Sequence, residues 1–154
     1  MGTQLRQRAD GGIELVEDST SSKVFAAGGG YKAVKVAKVA LKGVTATTGG
    51  ALFAWANPEG QSIIITRFQI DITTKSTGAA NVSFGTAANA TTSSDNLIDT
   101  YAAGGTEKVV DNMVDKGTNG KLTQKMTSSQ YLTGTGSAST AGLVGNVYIH
   151  YVIA

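Results

Sequence analysis

The sequence contains no cysteine, one proline, one histidine and one tryptophan among its 154 residues. Without cysteine there is no disulfide framework, no thiolate metal site and no thiol nucleophile. Only 16% of the residues are charged, where about 25% is usual. The net charge is +2, which is too small to indicate a nucleic-acid partner. No apolar run reaches membrane-spanning length, and the first eight residues lack the apolar stretch of a signal peptide, so no membrane partner is expected.

Residues with catalytic chemistry are also few. The single histidine, His150, has no second histidine to complete a metal pair, and an isolated ring in a strand is usually a packing or interface group. The serines lack a Gly-x-Ser-x-Gly elbow, and the glycine-rich residues 28–32 lack the phosphate-binding loop pattern. We therefore expect no enzyme activity and no cofactor.

Two carboxylate pairs, Asp95 with Asp99 and Asp111 with Asp115, are spaced by four residues. Neither follows the calcium-loop pattern, so we expect no metal. Asp111, Asn112 and Asp115 lead into the turn at 117–120, so we expect them to stabilise a turn, with a weak calcium site as the alternative. Trp55 lies beside the only proline, and we expect it to pack in or at the rim of the core. Stacking on a sugar or a base is the alternative for this ring.

Glycine, alanine, threonine and serine make up 72 of the 154 residues, so the core is lean. Valine and isoleucine together number 22 against 8 leucines, which favours strands. Alternating apolar residues predict strands at 63–74 and 143–153. Both sides of the second strand are partly apolar, which is typical of a strand covered on both faces. Weaker patterns predict strands at 13–16, 23–27, 34–44, 51–56, 81–86, 108–114, 121–126 and 130–133.

Turn sequences separate these segments: 57–60 contains the proline, 76–78 is rich in small residues, and 117–120 has the Asn-Gly pair of a hairpin. Residues 94–99 are interpreted as one helical turn capped by Ser94. The fold class is all-β: an antiparallel sandwich, jelly roll or barrel of about eight strands with an extended N-terminal arm. The predicted core contains Ile64, Phe68, Ile70, Ile72, Val82, Phe84, Val147, Ile149 and Tyr151.

Residues 1–30 differ in composition from residues 31–154, which we predict to be a single β domain. The first segment has four acidic residues, little apolar mass and a glycine hinge at 28–30. We interpret it as an arm that binds a neighbouring chain. The apolar side chains expected to make this contact are Ile13, Leu15, Val16, Val24 and Phe25.

Charge is distributed in blocks, with +4 over residues 31–42 and −4 over residues 95–115. The two blocks meet either within one molecule or between neighbouring copies. Lys32, Lys35, Lys38 and Lys42 recur at helical spacing, but the valine content of the segment favours a strand. A surface so poor in charge gives little protection against association, so we expect a homo-oligomer, a dimer or a trimer.

Five short strings stand out within residues 35–154: KVAKVAL at 35–41, FAWANPEG at 53–60, TTSSDNLID at 91–99, KGTNGK at 116–121 and GLVGNVYIHY at 142–151. They resemble strings in small virion structural proteins of tailed bacteriophages and prophages. The resemblance implies a capsid decoration or cement protein, made in the host bacterial cytoplasm and located on the capsid surface. Its implied partners are the major capsid protein or other virion proteins.

Two other functions stay open at this point. One is a head-fibre or receptor-binding virion module whose loops near Trp55 or Tyr101 recognise a host glycan. The other is a small bacterial hydrolase with an unusual site. Assembly on purified shells favours decoration, saccharide binding by the isolated protein favours the fibre module, and turnover of a substrate favours the hydrolase.

Overall fold

A computed structural model of the protein describes residues 2–7, 13–18, 33–105 and 109–154. Two compact units are present, Met1–Ala33 and Val34–Ala154. The described residues contain strands and turns but no helix, and hence no helix that is able to cross a membrane. The strands are β1 Gly2–Gln7, β2 Ile13–Asp18, β3 Lys35–Lys42, β4 Phe53–Ala56, β5 Ile63–Thr74, β6 Asn81–Ala87, β7 Ile98–Ala102, β8 Val109–Asp111, β9 Gln124–Met126, β10 Tyr131–Gly136 and β11 Val144–Ile153.

In the first unit, β1 and β2 form an antiparallel pair in which Leu5 is opposite Leu15 and Gln4 is opposite Val16. In the second unit, nine strands form two antiparallel sheets that do not close into a barrel. One sheet has the order β4-β10-β6-β7, and the other has the order β3-β11-β5-β8, with β9 also pairing β5. The all-β prediction is therefore confirmed.

Aromatic rings join the two sheets of the second unit. Phe68 of β5 lies 6.3 Å from the ring of Phe53 and 5.4 Å from the ring of Phe84, centroid to centroid. Gly134 of β10 leaves room for these rings, because a Cβ there would lie 2.9 Å from atoms of both Phe53 and Phe84. The small residues of the sequence thus allow a few large rings to fill a lean core.

The predicted core is confirmed except at one position. Ile64 is only half-buried, whereas its neighbours Ile63 and Ile65 are fully buried. The cause is a bulge in β5: Arg67 pairs with His150 and Ile65 with Tyr151, so Thr66 is an extra residue between them. One extra residue exchanges the two faces of a strand, so the alternation that places Phe68 in the core turns Ile64 outward.

Strand β11 lies between β3 and β5, and one of its faces is buried as predicted through Val147, Ile149 and Tyr151. The other face was expected to be covered because it contains Tyr148, His150 and Val152. In the structure these three residues are only half-buried. This face of the sheet is therefore partly open within Val34–Ala154.

Two local predictions are wrong. Residues 94–99 form no helical turn: Asn96 instead binds the neighbouring strand β6, donating to the Thr86 hydroxyl and accepting from the Thr86 amide. The Asn-Gly sequence at 117–120 does form a turn, but not a hairpin, because the flanking strands β8 and β9 both pair β5. The strand predicted at 23–27 lies outside the described residues. Sequence patterns missed β1 and β7.

Strand β7 contains a strained residue, Thr100, whose φ is +60°. A β-branched residue in this left-handed region is disfavoured by about 1–2 kcal/mol. We expect Thr100→Asn to raise the free energy of unfolding by about 1 kcal/mol, because asparagine tolerates this conformation. Thermal unfolding should show a rise of roughly 2–4 °C. Thr100→Val is the control, since it keeps the branched side chain and should give no gain; an unchanged or lower melting temperature for Thr100→Asn would contradict the prediction.

Candidate interaction surfaces

Among the described residues, no group of three or more histidine, cysteine, aspartate and glutamate side chains is placed to hold a metal ion. The carboxylates that the sequence singled out serve turns instead. Asp95 accepts from the Asn119 amide group at 2.9 Å, and Asp99 accepts from the Asn119 backbone N–H at 3.3 Å. Asp111 accepts from the Met113 backbone N–H and pairs with Arg67. The turn-stabilising interpretation is therefore confirmed for Asp111. Asp95 and Asp99 also bind a turn residue, Asn119, a role that was not predicted for them.

Trp55 packs at the rim of the core, as expected. Its ring centroid lies 5.6 Å from that of Tyr151, at an interplanar angle of 58°, and the side chain is half-buried. Tyr151 in turn donates a 2.8 Å hydrogen bond to Glu59, which also accepts two bonds from Lys35 at 2.7 and 2.8 Å. These contacts attach the turn after β4 to strands β3 and β11.

The pKa values of this cluster are shifted. The hydrogen bond from Lys35 is the main cause that lowers the pKa of Glu59 below its ordinary value, and the bond from Tyr151 acts in the same direction. Burial, with a smaller contribution from the carboxylate of Glu59, raises the pKa of Tyr151 to about 12. Glu59 is therefore ionised and Tyr151 protonated under neutral conditions.

A depressed carboxyl pKa makes stability depend on pH. Because Glu59 titrates at lower pH in the folded state than in the unfolded state, its contribution is present above the ordinary glutamate pKa of about 4.3 and is lost as pH falls through the folded value. We expect the wild-type unfolding midpoint in urea to fall over this range more steeply than that of Glu59→Gln. The difference should be small, because the ion pair with Lys35 is accessible to solvent. Parallel pH profiles would contradict this assignment.

The open face of the five-stranded sheet contains a groove of about 420 Å³, lined by Val36, Gln69, Asp71, Val109, Tyr148 and His150. We call these six residues the groove surface. His150 is half-buried, and its Nε2 lies 3.2 Å from Oε1 of Gln69. The two valines at the margins, Val36 and Val109, are 56% and 59% exposed. Sequence analysis recognised His150 as a packing or interface group but missed the groove, because three other strands contribute to it.

The groove surface is bordered by charge. Nζ of Lys38 lies 5.6 Å from the centroid of the Tyr148 ring, a cation–π contact, and Arg67 is bound to Asp111 on the opposite side. The segment containing Lys35, Lys38 and Lys42 is a strand, as predicted. The groove surface thus combines the Tyr148 ring and two exposed valines with charged side chains at its border.

The structure leaves the predicted arm contacts untested. Ile13, Leu15 and Val16 lie in β2, opposite Gln7, Leu5 and Gln4 respectively. Val24 and Phe25 lie outside the described residues, as does the glycine hinge at 28–30.

Comparison with known proteins finds a similarity of structure only. No family model matches the sequence, and no curated protein matches it. Among solved structures, a chain in the capsid of Ralstonia phage GP4 superposes with a TM-score of 0.53 and 14% sequence identity. The match covers 79% of this chain and 85% of that chain. The protein therefore shares its fold with a chain found in a phage capsid.

Proposed function

We propose that this protein is a non-enzymatic structural protein of a phage virion, and that it binds the surface of the assembled head as a decoration or cement protein. The observation that supports this most directly is the fold shared with a chain of the Ralstonia phage GP4 capsid, because it extends over most of both chains. The short strings that resemble virion proteins of tailed phages point in the same direction.

The contact with the head is proposed to use the groove surface. Val36 and Val109 offer exposed apolar area, and Tyr148 and His150 offer rings with polar edges. Aromatic residues surrounded by polar groups contribute strongly to protein–protein binding. A protein that binds only the assembled shell stabilises it through mass action, by an amount that grows with the logarithm of its concentration relative to the dissociation constant, and no chemical step is needed.

The test uses heads from the phage that encodes this chain, prepared with and without the protein. We expect the added protein to co-sediment with the heads in many copies and to raise the temperature at which the heads open. Val109→Glu should reduce co-sedimentation about tenfold or more, since it buries a charge in the contact. Leu122→Glu is the matched control, because Leu122 is 45% exposed but lies outside the groove surface.

Failure to bind heads would overturn the decoration role. Binding of a host saccharide by the isolated protein, together with a location on fibres, would instead support the head-fibre alternative. Equal loss of binding in Val109→Glu and Leu122→Glu would leave the groove surface without a specific role.

A further inference from the structure

Strand β3 forms an open edge of the five-stranded sheet. Its Lys42 backbone N–H points away from β11, because it donates to the Leu52 carbonyl, whereas the next N–H, that of Gly43, donates to Leu143. Successive residues of an antiparallel strand point their N–H and C=O groups to alternate sides. The backbone groups of Val36, Lys38 and Ala40 therefore point outward, and no strand within the described residues pairs with them.

An edge with outward backbone groups at Val36, Lys38 and Ala40 that pair with no described strand is a template for another strand. The side chains of β3 decide which strand is suitable. Lys35, Lys38 and Lys42 are all exposed. Lys35 is already bound to Glu59, so Lys38 and Lys42 supply the positive charge that an added strand would meet. A second copy of β3 would place lysines beside lysines, so a symmetric pairing of two β3 edges is disfavoured. An acidic strand is favoured.

Strand β2 has the matching properties. Its sequence, IELVED, contains three acidic residues, Glu14, Glu17 and Asp18, and three apolar residues of the kinds that suit strands. Within the described residues β2 pairs only with β1, so one of its two edges has no strand partner. None of the other described strands is as acidic: β8, for comparison, contains a single carboxylate, Asp111, which is bound to Arg67.

We propose that β2 of one copy adds to the edge of β3 in a second copy. Main-chain hydrogen bonds supply the affinity, and the opposite charges of the two strands supply the specificity. Each copy then donates its β2 to one neighbour and accepts the β2 of another, so copies associate head to tail. They form a closed ring if the rotation between neighbouring copies allows it. Ile13, Leu15 and Val16, which were predicted as arm residues that bind a neighbouring chain, would then bind at the edge of β3. The proposal does not depend on head binding.

The absence of cysteine makes a disulfide test direct. The acceptor is the full-length Lys38→Cys variant. Three donor variants, Glu14→Cys, Leu15→Cys and Val16→Cys, are prepared separately so that different registers of the strand pair are sampled. Each donor variant is mixed with the Lys38→Cys variant, and the mixture is oxidised. We expect at least one mixture to give a reducible, disulfide-linked pair of chains. The control acceptor is Lys121→Cys, an exposed site outside β3, which should give only background.

Absence of linked pairs above this control overturns the proposal. So does a chain with both cysteines, at position 38 and in β2, that forms its disulfide only within itself at every concentration. That second outcome would mean that β2 occupies the edge of its own β3. Neither result bears on co-sedimentation with heads, so failure here is distinguishable from failure of the decoration role.

Charge reversal gives a second test, with sedimentation velocity as the measurement. We expect Lys38→Glu combined with Lys42→Glu to weaken self-association about tenfold or more, because acidic residues then face acidic residues. The matched control, Lys121→Glu combined with Lys125→Glu, changes the net charge equally at exposed sites outside β3 and should have little effect.

Rescue completes the charge test. Adding Glu14→Lys and Asp18→Lys, which lie on the same face of β2, to the chain with the reversed β3 restores the opposite signs, so self-association should recover. A wild-type chain that stays monomeric at every concentration, or a reversed β3 that associates as tightly as the control, overturns the proposal.

Discussion

Replacing Phe68 by alanine is expected to lower the free energy of unfolding by about 3–5 kcal/mol. The side chain is fully buried and contacts the rings of Phe53 and Phe84 in the opposite sheet. Removing it leaves a cavity between the two sheets, where three phenylalanine rings pack together. Since small domains are stable by about 5–15 kcal/mol, the loss is a large share of the total.

Urea denaturation of the full chain measures this loss. Phe68→Leu is the control, because it keeps most of the apolar volume and should cost clearly less than the alanine variant. If Phe68→Ala costs less than about 1 kcal/mol, the value typical of an average substitution, Phe68 is not at the centre of the core.

Replacing Asn112 by alanine is expected to cost about 2–4 kcal/mol, because it removes three hydrogen bonds from a side chain with no solvent exposure. The Asn112 side-chain oxygen accepts from the Phe68 N–H at 2.8 Å, and its nitrogen donates to the carbonyls of Lys121 and Leu122 at 2.9 and 3.0 Å. Alanine leaves the buried Phe68 N–H without this partner, and such an unpaired group is costly.

The comparison is with Asn119→Ala, which removes a side-chain bond to Asp95 from an exposed turn and should cost less than about 1 kcal/mol. Hydrogen exchange provides a local readout: the Phe68 amide should lose its protection in Asn112→Ala and keep it in Asn119→Ala. Retained protection of this amide in Asn112→Ala would contradict the role assigned to Asn112.

Sequence patterns predicted the strands of the second unit where alternation was clear. The bounds predicted for β5, 63–74, agree with the structure because its apolar residues are dense on both sides of the bulge. The bulge itself was not predictable, because nothing in the alternation of residues 63–74 indicates that Thr66 has no opposite residue in β11. Which face of the sheet the Ile64 side chain occupies is therefore determined only by the pairing of β5 with β11.

Strand β7 was missed for a different reason. Its sequence, IDTYA, is short and contains a bulge beside Thr100, so it lacks regular alternation. Similarly, Asn112 was grouped with its acidic neighbours as a turn residue, although it is the buried bond-former of that segment. The groove surface depends on β3, β5, β8 and β11 together, and such a combination of distant segments becomes visible only with the topology.

The position of β11 has a consequence for how the protein folds. This strand joins β3 to β5, so neither neighbour has its main partner until residues 144–153 have left the ribosome. The five-stranded sheet therefore forms after translation of these residues and not progressively during it. Contacts between segments so distant in sequence also make folding slow, on the order of milliseconds to seconds for all-β domains. During this interval the lysines of β3 act as gatekeepers, since repulsion between like charges hinders premature pairing of two incomplete sheets.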